Sequence, residues 1–265
     1  MTKSAILGAA GRMGQMLIRC ATRIPDVRVI GACEQARHPA LGQDAGVVAG
    51  AGSLGVFLAE AWTADADAVI DFTFHAAVTA NLARAVANRQ AVVLGTTGLT
   101  DDEKQRVTDA AQVIPIVWAP NFSLGINLLL DLVRRAAAIL GPVYDAEIVE
   151  MHHRLKKDAP SGTALGLAEA LAAGRGVDLR AVATYGREGI VGERPRGEIG
   201  IHAIRGGDIV GDHTVIFAAD GERVELTHKA SSREAFANGA LHAATWIRSQ
   251  PAGLYTMRDV LGLIP

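Results

Sequence analysis

Over the first 120 or so positions, apolar residues fall into short runs separated by stretches of helical period. Ser4–Leu7, Val27–Cys33, Ala68–Phe72, Ala91–Leu94 and Ile114–Ala119 read as strands, most of them apolar enough to be buried on both faces. Between them, Met13–Arg23, Ala76–Asn88 and Asp101–Ala111 read as helices. Thr100 with Glu103 forms a capping box that fixes the start of the last of these. Strands alternating with helices of this length predict a parallel sheet with crossover helices on both faces. Residues 35–67 are rich in Gly and Ala, and their pattern assigns no element.

After Asn121 the rhythm changes. A long helix is expected over Leu124–Leu140, stopped by Gly141 and Pro142. A strand over Asp145–His153 and a helix over Ser161–Ala173 follow. Four further strands are expected at Ala181–Gly186, Glu198–Arg205, Asp208–Ala218 and Arg223–Ala230, with Arg187–Gly197 a loop. Successive strands without intervening helices predict a mixed or antiparallel sheet, hence a second domain of different architecture. Helical period returns over Glu234–Arg248, and this helix is expected to pack back onto the first domain. The expected division is 1–123 with 233–265 for one domain and 124–232 for the other.

Composition narrows the function classes. Of 265 residues, 49% are hydrophobic and 20% charged, and no apolar run is long enough to span a bilayer. A formal net charge of −2 gives no bulk attraction to nucleic acid or to an anionic membrane. Cys20 and Cys33 form neither a zinc spacing nor a disulfide framework, and buried free thiols are expected. The apolar segment Ala5–Ala10 is too short for a signal peptide, so the expected setting is the cytoplasm.

Two stretches carry chemistry. Gly8-Ala9-Ala10-Gly11-Arg12-Met13-Gly14 follows a strand and opens a helix. Glycines there allow a tight turn and let backbone N–H groups approach a pyrophosphate at the positive end of the helix. Glu34 closes the second strand about twenty residues later, where a carboxylate accepts hydrogen bonds from adenosine ribose hydroxyls. Gly95-Thr96-Thr97-Gly98 and Ala119-Pro120-Asn121-Phe122 close two further strands at the same carboxyl edge. Together they read as a dinucleotide site.

The second stretch is Glu150-Met-His152-His153-Arg-Leu-Lys156-Lys-Asp158-Ala-Pro-Ser161-Gly162-Thr163. Histidine suits proton movement near neutral pH, and lysine supplies a compact positive charge. Ser161 is a natural N-cap, and the helix start behind it offers backbone N–H groups to an anion. Adjacent side chains on a strand point to opposite faces, so at most one of His152 and His153 faces a given pocket. A metal site is not expected, because no third and fourth ligand of suitable type cluster nearby. The stretch reads as a site that binds a carboxylated molecule and protonates it.

With these motifs, and with Asp71-Phe-Thr73, Arg205-Gly-Gly-Asp-Ile-Val-Gly211 and Thr227-His-Lys-Ala-Ser-Ser-Arg233, the chain resembles the 4-hydroxy-tetrahydrodipicolinate reductase (dihydrodipicolinate reductase) family nearly end to end. The resemblance implies an α/β fold: a Rossmann-type parallel-sheet cofactor domain plus a smaller mixed-sheet α+β substrate and oligomerisation domain. It implies hydride transfer from NADH or NADPH to a cyclic unsaturated dicarboxylate, in the diaminopimelate route to lysine. His152 matches the proton donor, and Lys156 a second donor or the charge that stabilises the developing anion. His153, Gly162 and Thr163 match substrate contacts. Gly8, Ala9, Ala10, Gly11, Arg12, Met13, Glu34, Gly95, Thr96, Thr97, Ala119, Pro120, Asn121 and Phe122 match cofactor contacts. A homotetramer is implied, and the apolar run Val215–Ala219 is more than a small domain is expected to cover.

One position departs from the pattern. Some members carry Arg directly after the acidic residue, where this chain has Gln35. An arginine there would grip a 2′-phosphate, so its absence favours NADH, with Arg12 and Arg37 left to reach that phosphate. The competing readings are a related two-domain NAD(P)-dependent dehydrogenase acting on another imino or keto acid, and a redox sensor that binds NAD and a partner.

Overall fold

The computed structural model describes residues 1–263. In chain order the first elements are β1 (Thr2–Leu7), α1 (Arg12–Ala21), β2 (Val27–Cys33), α2 (Ala45–Ala49), β3 (Leu58–Ala59), β4 (Ala68–Asp71), α3 (His75–Ala87), β5 (Ala91–Leu94), α4 (Asp101–Ala111) and β6 (Pro115–Trp118). Next come α5 (Leu124–Leu140), β7 (Asp145–His152), α6 (Gly162–Arg175), α7 (Leu179–Val182), β8 (Ala183–Tyr185), β9 (Ile199–Arg205), β10 (Gly211–Ala219) and β11 (Glu222–Ala230). The chain closes with α8 (Glu234–Ile247), β12 (Gly253–Tyr255) and α9 (Met257–Val260). It divides into two compact units, residues 1–124 with 234–265 and residues 125–233. Among the described residues no helix is long and apolar enough to cross a membrane.

In the first unit, seven strands form one sheet in the order β12-β6-β5-β4-β1-β2-β3. All its pairings are parallel. Read from β3, the order is 3-2-1-4-5-6 with β12 added at the far edge, the doubly wound order of a Rossmann fold. Period-2 alternation divides the side chains between two cores. Ile6, Ile70, Val93 and Val117 face one layer with Leu17 and Ile18 of α1 and Ala240, Leu241 and Ala244 of α8. Leu7, Val69, Val92, Leu94 and Ile116 face the other, against Val78 and Leu82 of α3 and Val107 of α4. Burying each such side chain is worth roughly 1.5–3 kcal/mol, which is why central strands can be apolar throughout.

The second unit is a five-stranded mixed sheet, β11-β10-β7-β9-β8. β10 pairs antiparallel with β7 and β11, while β9 pairs parallel with β7 and β8. Ala146, Ile148, Ile199, Ile201, Val215 and Phe217 turn one face onto α5 and α6. Within the expected uncovered run, Val215 and Phe217 are therefore covered inside the unit, and Ile216 stays half-buried on the opposite face.

The capping box at Thr100 and the long helix ending at Leu140 stand as expected. Three segments differ. Ala181 and Val182 belong to α7, because Asp178 caps that turn by accepting the Arg180 N–H at 3.0 Å, and only Ala183–Tyr185 reaches the sheet edge. The strand expected from Asp208 begins at Gly211, because the preceding residues form a turn and Gly207 accepts a hydrogen bond from the Arg154 N–H. In residues 35–67, the half-buried Asp44 holds α2 and the turn before β3: its carboxylate accepts from the N–H groups of Gly46, Val47, Leu54 and Gly55.

Candidate active site

In the first unit, parallel register lines up the candidate cofactor residues. Leu7 stands beside Cys33 on one side and Asp71 on the other, Asp71 beside Leu94, and Leu94 beside Trp118. The next residue of each strand therefore falls in one row at the carboxyl edge: Glu34, Gly8, Phe72, Gly95 and Ala119. Ligands of open parallel sheets bind along this edge, where the strand order reverses between β1 and β4. A cleft of about 430 Å³ opens there, lined by Gly8, Cys33, Glu34, Glu60, Thr73 and Phe74 among others.

The glycine-rich turn is shaped for an anion. Gly8 has φ +70°, a conformation that other residues adopt only at a cost. A Cβ at Gly14 would stand 2.1 Å from the Gly8 carbonyl oxygen, so the third glycine lets α1 pack directly on the turn. α1 begins after Gly11 with no side-chain cap and no acidic residue in its first turn, leaving its positive end open to a pyrophosphate. Arg12 is exposed and Met13 half-buried at that end, while Ala9 is buried. Glu34 accepts the Ala10 N–H at 2.9 Å and the Gln35 N–H at 3.2 Å, which fixes the carboxylate at the rim of the cleft. These residues fit a dinucleotide. Burial pushes the Cys33 thiol in the same cleft up to about 12, so it is an inert wall.

Behind the row sits a carboxylate that the sequence did not single out as functional. Asp71 is 2% exposed and accepts from Thr73 N (2.9 Å), Thr73 Oγ1 (2.6 Å), Asn81 Nδ2 (2.8 Å) and Thr96 Oγ1 (3.1 Å). Thr96 thus turns its hydroxyl inward and Thr97 is exposed. Asn121 Oδ1 accepts the Ser123 N–H at 2.9 Å, Phe122 is buried against Phe72, and Pro120 is exposed. The buried side chains of Ala9, Ala119 and Phe122 leave backbone as what those residues offer a ligand.

A second group of candidate residues lies in the other unit, at the end of β7. Alternation puts Ala146, Ile148, Glu150 and His152 on the buried face. Glu150 is fully buried, yet it is surrounded by donors. Arg205 grips it with both terminal nitrogens at 2.8 Å, His152 Nδ1 lies 2.5 Å from Oε2, and the Ser161 N–H donates to Oε1 at 3.0 Å. Burial pushes the Glu150 carboxyl up, but the hydrogen bonds from Arg205, His152 and Ser161 outweigh it and hold the group below its usual range. His213 packs edge-on against His152 with centroids 5.1 Å apart and reaches Ser161 Oγ at 3.1 Å. Burial, with the neighbouring His152, pushes His213 down to about 4, so it is neutral at physiological pH.

The loop after β7 is tied down at several points. His152 O accepts the Gly206 N–H at 2.9 Å, and His153 O accepts the Lys156 N–H at 3.1 Å. Lys156 Nζ lies 2.9 Å from Asp158 Oδ2. Ser161 caps α6 by accepting the Ala164 N–H at 3.1 Å, and Gly162 and Thr163 are the first two residues of the helix. One strand end thus brings together His152, His153, Lys156 and the N-terminus of α6. Such a group can neutralise a carboxylate and deliver a proton. Sequence reasoning missed the roles of Glu150 and His213. The signal for Glu150 was its two-residue spacing from His152 on a strand; for His213 no local signal exists, because β10 brings it in from about sixty residues away.

A Rossmann-ordered sheet with a glycine-rich first turn and an acidic second strand end defines a nicotinamide-dependent oxidoreductase. The family descriptions "Dihydrodipicolinate reductase, N-terminus" and "Dihydrodipicolinate reductase, C-terminus" match residues 2–122 and 125–261. The 4-hydroxy-tetrahydrodipicolinate reductase of Anaeromyxobacter dehalogenans is 50% identical, across 99% of this chain and 98% of its own. The enzyme of that name from Pseudoalteromonas atlantica is also 50% identical, across 99% of this chain and 100% of its own. A solved structure of dipicolinate-bound dihydrodipicolinate reductase from Paenisporosarcina sp. TG-14 superposes with a TM-score of 0.76 at 25% identity, covering 98% of both chains. The chain belongs to the dihydrodipicolinate reductase family.

The buried His213 makes stability depend on pH. Its folded value of about 4 lies below the ordinary 6.5, so between these the unfolded chain binds a proton that the folded chain refuses. Stability from this residue is complete above 6.5 and falls as the pH drops through that window. The loss between pH 7 and pH 5 is about 2 kcal/mol. Denaturant unfolding of His213→Gln should show a pH dependence shallower by about that amount. Parallel curves for the two proteins would mean that His213 is not the titrating group.

Proposed function

We propose that this chain catalyses the NAD(P)H-dependent reduction of 4-hydroxy-tetrahydrodipicolinate to tetrahydrodipicolinate, in the diaminopimelate route to lysine. The observation that carries this reading is whole-length, 50% identity to relatives of that name. The assembly of His152, Lys156 and the α6 N-terminus at one strand end supports it. The unit holding residues 1–123 with 233–265 binds the dinucleotide, and residues 124–232 bind the substrate and build the oligomer. Gly8–Met13, Glu34, Gly95–Thr97 and Ala119–Phe122 hold the cofactor. A cytoplasmic setting accords with the free thiols of Cys20 and Cys33.

In this reading one substrate carboxylate takes N–H groups of Gly162 and Thr163, with His153 beside it. Loss of the 4-hydroxyl as water leaves a conjugated imine ring. A nicotinamide dinucleotide held by Gly8–Met13 and Glu34 would supply the hydride, and the electron-rich enamine that results must gain a proton at its neighbouring carbon. His152, held through Nδ1, delivers that proton from Nε2, and the Lys156 ammonium stabilises the developing charge or acts as a second donor. The overall exchange consumes one hydride and one proton and releases one water.

The direct test supplies the aldol product of pyruvate and aspartate semialdehyde and follows NADH absorbance. Turnover is expected, and its absence with both nicotinamides would remove the assignment. His152→Gln should lower kcat by roughly 10²- to 10⁴-fold with a much smaller change in KM, since a proton donor acts mainly in the transition state. An unchanged kcat would take His152 out of the mechanism.

NADH should serve at least as well as NADPH, with both accepted. Glu34 suits two ribose hydroxyls, and Glu60 adds a second carboxylate to the same cleft, whereas neither Arg12 nor Arg37 is among the residues that line it. Two unit charges about 4 Å apart near a surface interact by up to ~4 kcal/mol before screening by salt. Gln35→Arg should therefore move kcat/KM toward NADPH, most strongly at low ionic strength. A tenfold preference of the unmodified enzyme for NADPH would show that Arg12 or Arg37 grips the phosphate.

The sheet of residues 125–233 leaves one face without a helical layer, where Met151 and Ile216 are half-buried and Ile204 is 45% exposed. Covering that face with the same face of other copies yields the homotetramer we assign to this chain. Light scattering at micromolar concentration should report four subunits; a monomer would remove the assembly.

A further inference from the structure

Resting on the reading above, in which His152 gives the proton, we propose that Glu150 is the positioning residue that selects the donor nitrogen of His152 and ties it to the start of α6. The geometry divides the work evenly between the two carboxylate oxygens. Oε2 takes His152 Nδ1 and Arg205 Nη1, while Oε1 takes the Ser161 N–H and Arg205 Nη2. An ionised carboxylate only accepts, so its partner on the imidazole is Nδ1–H. The nitrogen left to carry the transferable proton is Nε2, which has no hydrogen-bond partner among the described residues. A Cβ at Gly211 would stand 3.0 Å from Nε2, so the glycine keeps a side chain off the nitrogen. Through Ser161 the same carboxylate holds the N-cap of the helix assigned to the substrate carboxylate. Proton donor and anion cradle are thus fastened to one buried group.

Charge supports the arrangement. The ionisable groups around His152 are Glu150 on its own strand, Arg205 from β9, His213 from β10, His228 from β11, and Lys156 with Asp158 from the following loop. Arg205 is bonded to both Glu150 oxygens, which keeps the carboxylate ionised, and His213 is uncharged at physiological pH. Glu150 is therefore the anion in direct contact with the imidazole, and it accepts from Nδ1.

An amide cannot take over this role. Glutamine offers one accepting oxygen to four converging donors and turns its own NH₂ toward Arg205 or His152. The test is Glu150→Gln, read first by ¹⁵N imidazole chemical shifts without any substrate, with His152 assigned by comparison with His152→Gln. In the unmodified protein neutral His152 should be the Nδ1–H tautomer. In the variant that tautomer should be lost. The kcat should fall between about 10- and 10⁴-fold, the upper figure being the cost of neutralising the orienting carboxylate of a serine-protease triad.

Because Glu150→Gln strands a partly buried arginine, a second variant, Glu150→Gln with Arg205→Gln, removes both charges and should show the same loss of the tautomer if the first does not fold. An unchanged tautomer in either folded variant would overturn the proposal. Inactivity of the unmodified chain toward the dicarboxylate would instead count against the reductase reading, and the NMR result would still decide the role of Glu150.

Discussion

Glu150 is withdrawn completely from solvent, and taking a carboxylate out of water costs several kcal/mol unless donors replace the water. That requirement organises the second unit. The donors come from β9 (Arg205), from the end of β7 itself (His152) and from the start of α6 (Ser161), so three pieces of chain meet at one charge. Asp71 does the same for the first unit with neutral donors: Thr73, Asn81 and Thr96 bring β4, α3 and the loop after β5 together. In both units the carboxylate stands at or next to a strand end assigned to ligand binding. Loops at such ends would otherwise be mobile, and a buried anion holds them without closing the space in front of them.

Packing sets where those strand ends fall. Because β1, β2, β4, β5 and β6 pair in parallel, the residues after them line up in one row without any loop having to reach. The layer beneath depends on small side chains. α8 turns Ala237, Gly239, Ala240, Ala243 and Ala244 inward, so it lies close to both α1 and the sheet. Bulkier residues at those positions would force a wider spacing and displace the helix from its neighbours.

Elements with strong local signals were legible in the sequence. The buried strands of the first unit show as short apolar runs, and the box at Thr100 and the stop at Gly141-Pro142 rest on contacts within a few residues. α2 and β3 were not legible, because Asp44 organises them through bonds reaching eleven residues along the chain rather than through periodicity. β12 was not legible either: it is three residues long, and its place is set by pairing with β6, some 138 positions away. The candidate site divides the same way. His152, Lys156 and Ser161 lie in one stretch and could be read together. Arg205 and His213 reach Glu150 and His152 only through the β9 and β10 registers, which no local pattern encodes.

Burial also separates the cations that hold the site from those left to serve it. Arg205 bonds both oxygens of a carboxylate with no exposure, and losing either partner would leave a charge uncompensated. It is structural by necessity. Lys156 pairs with Asp158 through a single contact, and the Asp158 side chain is 61% exposed. A pair of that kind contributes roughly 0–1 kcal/mol, little enough for an incoming carboxylate to replace Asp158 as the partner of the ammonium. In the proposed reading the lysine meets such an anion with its backbone already held, because the Lys156 N–H donates to the His153 carbonyl. One cation is locked and the other exchangeable, and the difference follows from how much water each partner keeps.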